Sequence, residues 1–126
     1  MITPTLSIIE LTVGDWQAAL SWFQQYFSSQ VIHLDAANGY VLLDAGSIHL
    51  AIKGSADAPL PQGVLLQWQV DNLEVFLSEV IEKGCRILKP IKQSEEGYRR
   101  CVLEGPEGIP ILVYETMREE YSAREK

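Results

Sequence analysis

Two side chains stand out as able to do chemistry: Glu10, the acid within Ile8-Ile-Glu-Leu-Thr-Val13, and His49, within Ser47-Ile-His-Leu-Ala51. A carboxylate in an otherwise apolar strand is unusual unless it faces a cavity or water. An imidazole titrates near neutrality, so His49 could contact a ligand or act as a general base. The bland alternative is a half-buried histidine hydrogen-bonded to Glu10 or Tyr114. Arg99 and Arg100 alternate across the expected strand 98–103. One of them, Arg100 in this reading, could reach a cavity and meet an anionic ligand or Glu10, or it could lie on a solvated edge. His33, near a turn, reads as a surface residue. Cys85 and Cys101 have neither CxxC spacing nor a nearby histidine, which argues against zinc. A hairpin register could set the two opposite each other, but buried free thiols are the expectation. No nucleophile triad, phosphate-binding glycine loop or aromatic-basic nucleic-acid pattern is visible.

The elements that must position these groups come as a repeated unit. Ile8–Val13 is rich in β-branched residues and reads as a strand. Gly14 breaks it, and Asp15 can cap a helix whose apolar positions Trp16, Ala19, Leu20, Phe23 and Phe27 fall on one face. The pattern returns from Leu65 to Gly84, with Asp71 expected at the place of Asp15 and Leu73, Phe76, Leu77, Val80 and Ile81 as the second stripe. This indicates a duplication with a period of roughly 55–60 residues. Trp22 and Phe23 read as helix-to-sheet packing. Trp68, on the strand side opposite Leu65, reads as core under a helix.

After each helix three strands are expected. In the first half they are 31–34, 40–44 and 47–52, with an Asn-Gly hairpin turn at 35–39 and a tight turn at Ala45-Gly46. In the second they are 85–88, 98–103 and 109–115, with a polar loop at 90–97, a turn at 104–108 and Gly84 as a left-handed helix cap. The Pro/Gly/Ser-rich stretch 54–63 is a linker. The expected organisation is one domain, 1–116, with modules at about 6–53 and 64–115, followed by a charged tail, 117–126. Each half is β-α-β-β-β, an α+β architecture of two paired βαβββ modules whose sheets curl, half-open, around a cavity.

At 126 residues, 47% hydrophobic and 21% charged, the chain has an ordinary globular composition. A net charge of −7 argues against nucleic acid, and would favour a cationic ligand only if acids lined a site. The first half holds one base, Lys53, against five acids. No apolar run reaches the ~18–20 residues of a membrane span. The N-terminus lacks the parts of a signal peptide, so the expected compartment is the cytoplasm.

The run Glu10-Leu-Thr-Val-Gly-Asp-Trp16 with Trp22-Phe23, the echo Trp68-Gln-Val-Asp-Asn-Leu73, and the closing Gly97-Tyr-Arg-Arg100 with Glu104-Gly-Pro-Glu-Gly-Ile-Pro-Ile-Leu-Val-Tyr-Glu115 resemble the vicinal oxygen chelate superfamily. That group includes glyoxalase I, bleomycin-resistance proteins, fosfomycin-resistance enzymes and extradiol dioxygenases. The resemblance runs from about Leu6 to Glu115. It implies a homodimer, and a metal held by one His or Glu from each of four strands. Carried onto this chain, the ligand positions are Ile8, His49, Leu65 and Leu112. Shifting by two residues keeps the strand face and offers Glu10, Ala51, Gln67 and Tyr114.

Aliphatic side chains donate no electron pair, so the first set leaves one imidazole, too little for a catalytic divalent ion. No cofactor is therefore expected, a two-ligand metal site at Glu10 and His49 being the remaining alternative. The expected function is metal-independent binding or sequestration of a drug or metabolite. Its lining would be Ile8, Glu10, His49, Leu65, Gln67, Arg100, Leu112 and Tyr114, apolar walls with a few polar groups. The rival is a lyase, isomerase or dioxygenase of the same superfamily with His49 and Glu10 as catalytic residues. A third class is a protein acting through protein contacts with its cavity filled.

Overall fold

The computed structural model describes residues 2–58, 63–93 and 97–115. They form two compact units that divide between Gly63 and Val64. The first contains β1 (Ile8–Val13), α1 (Trp16–Phe27), β2 (Val31–Asp35), β3 (Tyr40–Asp44) and β4 (His49–Gly54). The second contains β5 (Leu66–Val70), α2 (Leu73–Glu82), β6 (Ile87–Gln93), β7 (Arg99–Glu104) and β8 (Pro110–Glu115). Each is βαβββ with a four-stranded mixed sheet, in the orders β1-β4-β3-β2 and β5-β8-β7-β6. The first strand of each unit runs parallel to its last, and the other neighbours are antiparallel. The α+β reading and its duplication hold. No helix among the described residues is long and apolar enough to cross a membrane.

Helix starts are set by side-chain caps. Asp15 Oδ1 accepts the N–H of Ala18 at 3.0 Å, and Asn72 Oδ1 accepts that of Val75 at 3.1 Å. The second cap is thus Asn72 and not Asp71. Asp71 takes the place of Gly14, because β1 and β5 end on the equivalent Val13 and Val70. Both amide and carboxylate oxygens satisfy an orphan helix donor, so residue type alone could not decide between the neighbours. Gly84, at φ +100°, supplies the left-handed residue after α2, and Cys85 N–H then reaches Val80 O at 2.9 Å.

Each core lies between helix and sheet. In the first unit Ala19 and Phe23 of α1 are buried, as are Leu11, Val13, Val41, Leu43, Leu50 and Ile52. In the second, Leu73 and Val80 are buried, as are Cys101, Leu103, Ile111 and Val113. Burying each Val, Leu, Ile or Phe side chain among these contributes ~1.5–3 kcal/mol. Trp22 meets Phe23, Tyr26 and Phe27 edge to face, with centroids 5.0, 5.2 and 5.1 Å apart.

The units differ where the first helical turn meets the end of the last strand. Val13 is in register with Gly54, and Val70 with Glu115. In the first unit the Trp16 ring lies over Gly54, where an added Cβ would come within 2.7 Å of Cδ1. In the second, Glu115 accepts the N–H of Leu73 at 3.4 Å and pairs with Arg99 at 3.7 Å.

The 35–39 turn closes the antiparallel β2–β3 hairpin as expected, through a 3-10 turn at Ala36–Asn38. Asp35 accepts the Asn38 backbone N–H at 3.3 Å and its side-chain amide at 2.7 Å, which leaves Gly39 alone at positive φ. The side-chain bond from Asn38 is the main cause holding the Asp35 carboxyl below its ordinary pKa. Strand β6 runs on through Pro90 to Gln93, where a polar loop was expected. Pro90 is tolerated because β6 is an edge strand whose register shifts between Ile87 and Lys89 and between Lys89 and Lys92. The turn after β3 spans Ala45 to Ile48, so β4 begins at His49. The expected tail at 117–126 and part of the linker lie outside the described residues.

Candidate ligand-binding faces

Side chains alternate across a strand, and register partners share a face. In the first sheet one face carries the buried set under α1. The other carries the rungs Ile8–His49–Asp44, Glu10–Ala51–Leu42–His33 and Thr12–Lys53–Tyr40–Asp35. Ile8 is 44% exposed, Glu10 is exposed and His49 is half-buried. Lys53 is tied down by donating to Asn38 O at 2.7 Å, and His33 lies 6.4 Å from the Tyr40 ring.

His49 stands between Ile8 and Asp44, and its backbone N–H donates to Ser7 O at 2.9 Å. Its expected pairing with Glu10 is displaced by register, because Glu10 is opposite Ala51, one rung along. Tyr114 is occupied within its own sheet, donating its hydroxyl to Gln69 Oε1 at 3.3 Å.

In the second sheet the face under α2 takes Arg99, which pairs with Glu74 of that helix at 2.7 Å and with Glu115 at 3.7 Å. The hydrogen bond to Glu74 is the main cause raising the Arg99 pKa. The opposite face carries Lys92–Arg100–Tyr114–Gln69 and Lys89–Val102–Leu112–Gln67. Leu65 comes just before β5 on the side of Gln67 and is 44% exposed, whereas Leu112 is buried. Arg100 is exposed. Tyr98 packs on this face with its ring 5.2 Å from that of Tyr114. Lys89, Lys92 and Tyr98 were missed by sequence reasoning, which ended β6 before Pro90. The signal available was the spread of β-compatible residues at Ile91 and Lys92 beyond that proline.

Register also reorders the ligand positions carried over by resemblance. Ile8 is paired with His49, but Leu112 is paired with Gln67, the equivalent of Glu10. Tyr114 is likewise paired with Gln69. Each carried-over set of four therefore mixes two levels of the duplicated sheet. Within the first unit His49 stands between Ile8 and Asp44, with Glu10 a level along, and within the second the carried-over positions are Leu65, Gln67, Leu112 and Tyr114. Neither matches the His and Glu quartet of a catalytic divalent ion. Among the described residues no group of three or more His, Cys, Asp and Glu is placed to hold a metal.

Cys85 and Cys101 are free and buried. The register pairs Ile87 with Leu103 and leaves Cys85 before the strand, so the hairpin does not set the thiols opposite each other. Burial raises both, Cys101 to about 11 with Cys85 adding to the shift.

No protein-family model and no curated protein matches the sequence. Solved structures do match over nearly the whole chain. A glyoxalase family protein from Enterococcus faecalis has a TM-score of 0.77 at 19% identity, covering 91% of this chain and 100% of that one. A glyoxalase/bleomycin resistance protein/dioxygenase family enzyme from Burkholderia phytofirmans PsJN has 0.73 at 18%, covering 90% and 100%. A glyoxalase-related enzyme from Fulvimarina pelagi has 0.74 at 16%, covering 90% and 89%. The architecture read from the sequence is that of these proteins. At such identities the shared property is the fold, which hosts many chemistries.

Proposed function

We propose that this protein binds a small organic molecule without a resident metal, on a sheet face turned away from its helix. The observation that carries this reading is the aliphatic character of Ile8, Leu65 and Leu112, three of the four positions that the resemblance assigns to metal ligands. Supporting it, Ile8 and Leu65 are each 44% exposed and share their faces with isolated polar groups, Glu10 and His49 in one sheet, Gln67, Tyr114 and Arg100 in the other. Such a mixture suits recognition of a mostly apolar ligand. A homodimer is part of the proposal, supported by exposed Val31, Ile32 and Leu34 on the edge strand β2.

Elemental analysis tests the reading, on untagged protein before and after incubation with excess zinc, nickel and ferrous iron. The expected result is no stoichiometric metal after desalting. A retained equivalent would overturn it and centre the chemistry on Glu10 and His49.

A second reading, catalysis of the lyase, isomerase or dioxygenase kind, draws support from Asp44 standing opposite His49, since a carboxylate can orient an imidazole base. His49→Ala separates the two. It would abolish turnover by an enzyme, yet shift ligand affinity only modestly in a binding protein.

A further inference from the structure

The described cations near β6 and β7 fall into two sets. Arg86 pairs through Nε with Glu104 at 3.3 Å, and Arg99 pairs with Glu74 and Glu115 on the helix side. Lys89, Lys92 and Arg100 lie on the opposite face, and among the described residues none of the three has an ion-pair partner. Lys92 and Arg100 are direct register partners. Like charges directly opposite each other destabilise a sheet, so an anion between them would relieve the pair. Arg100 is also the register partner of Tyr114. The Tyr114 ring is held by its hydroxyl bond to Gln69 at 3.3 Å and by Tyr98 at 5.2 Å.

We propose that this face receives an organic oxyanion, carboxylate or phosphate, attached to a planar aromatic body. The head lies between Lys92 and Arg100, with Lys89 on the next level, and the body lies against Tyr98 and Tyr114. A guanidinium holds an oxyanion through parallel N–H bonds, and tyrosine rings take an aromatic edge or face. The inference rests on the binding reading above and specifies its ligand class. It runs against the net charge of −7. At physiological salt, however, charges farther than ~8 Å are largely screened, so the adjacent cations set the local field.

The test titrates the full chain with naphthoate, naphthyl phosphate and the cationic naphthylmethylamine, following backbone amide NMR shifts. At least one anion should saturate, with shifts centred on β7 and β8, and the amine should bind at least about tenfold more weakly. The better anion identifies the head group. Arg100→Gln and Lys92→Gln should each weaken anion binding about tenfold, while Arg86→Gln, outside the rung, leaves it unchanged. Both rung variants alter exposed residues, and thermal melts confirm folding. Lys92→Gln should also raise the melting midpoint by removing the opposed like charge.

An amine that binds as tightly as the anions, or equal losses in all three variants, would overturn the proposal. Amine binding without anion binding removes the ligand class and leaves the binding reading intact. Silence with all three compounds counts against both.

Discussion

In the first unit the face away from α1 carries Glu10, Asp44 and His49, and its one lysine, Lys53, is bound to the carbonyl of Asn38 at 2.7 Å. In the second unit the equivalents of Glu10 and Asp44 are Gln67 and Glu104, the latter paired with Arg86 at 3.3 Å, and β6 and β7 add Lys89, Lys92 and Arg100. The faces under the helices diverge less: both bury apolar side chains that alternate in the same phase, and the second adds Arg99, paired with Glu74 and Glu115, at one end. A duplicated fold constrains the side that must exclude water and leaves the other free to specialise. The junction between first turn and last strand diverged too, a tryptophan over a glycine in one unit and a glutamate linking Leu73 and Arg99 in the other.

The largest test of this parallel is in the cores. Phe23→Ala should cost ~3–5 kcal/mol and Leu103→Ala ~2–5 kcal/mol in denaturant unfolding. A negligible loss at either position would break the claim that both helix faces are equally committed. At the divergent junction, Gly54→Ala forces a Cβ against Trp16 and should cost ~1–3 kcal/mol by overpacking. Glu115→Ala removes partly exposed polar links and should cost only ~1 kcal/mol or less. The reverse order would show that the polar junction is the stronger one.

The caps should behave as equivalents. Asp15→Ala and Asn72→Ala should each cost ~1 kcal/mol, and Asp71→Ala much less. A large loss at Asp71 would move the duplication by one residue.

The last test is an alkaline pH dependence that arises in the second unit. Folding raises the Cys101 thiol to about 11 by burial, above the ordinary value of ~8.5 for an unfolded thiol. Its contribution is complete below the unfolded value and is lost as pH rises through the folded one. Stability should therefore decline from about pH 8.5 upward, and Cys101→Ala should flatten that decline. Thiol labelling of the folded protein at neutral pH should be slow, because the reactive thiolate is suppressed.

Much of the architecture was legible because it depends on short-range periodicity. The spacing of Trp16, Ala19, Leu20, Phe23 and Phe27 demands a helix with one apolar face, and the β-branched run in 8–13 demands a strand. Errors fell where two neighbours could serve the same local need, as with Asp71 and Asn72. They also fell where tertiary position overrode a local signal, as with Pro90, acceptable only because β6 lies on an edge. The candidate residues were legible as types and in which strand face they share, but not as neighbours.

What the sequence by itself determined is the duplicated βαβββ pattern, the apolar helix faces and the aliphatic residues at Ile8, Leu65 and Leu112. These follow from residue chemistry and local period. Only the tertiary structure decided which residues share a level of each sheet. It set His49 beside Asp44 instead of Glu10, Leu112 beside Gln67, and Lys92 beside Arg100 and Tyr114. Those pairings depend on turn lengths and on the register shifts in β6, and a displacement of a single residue turns a side chain to the other face.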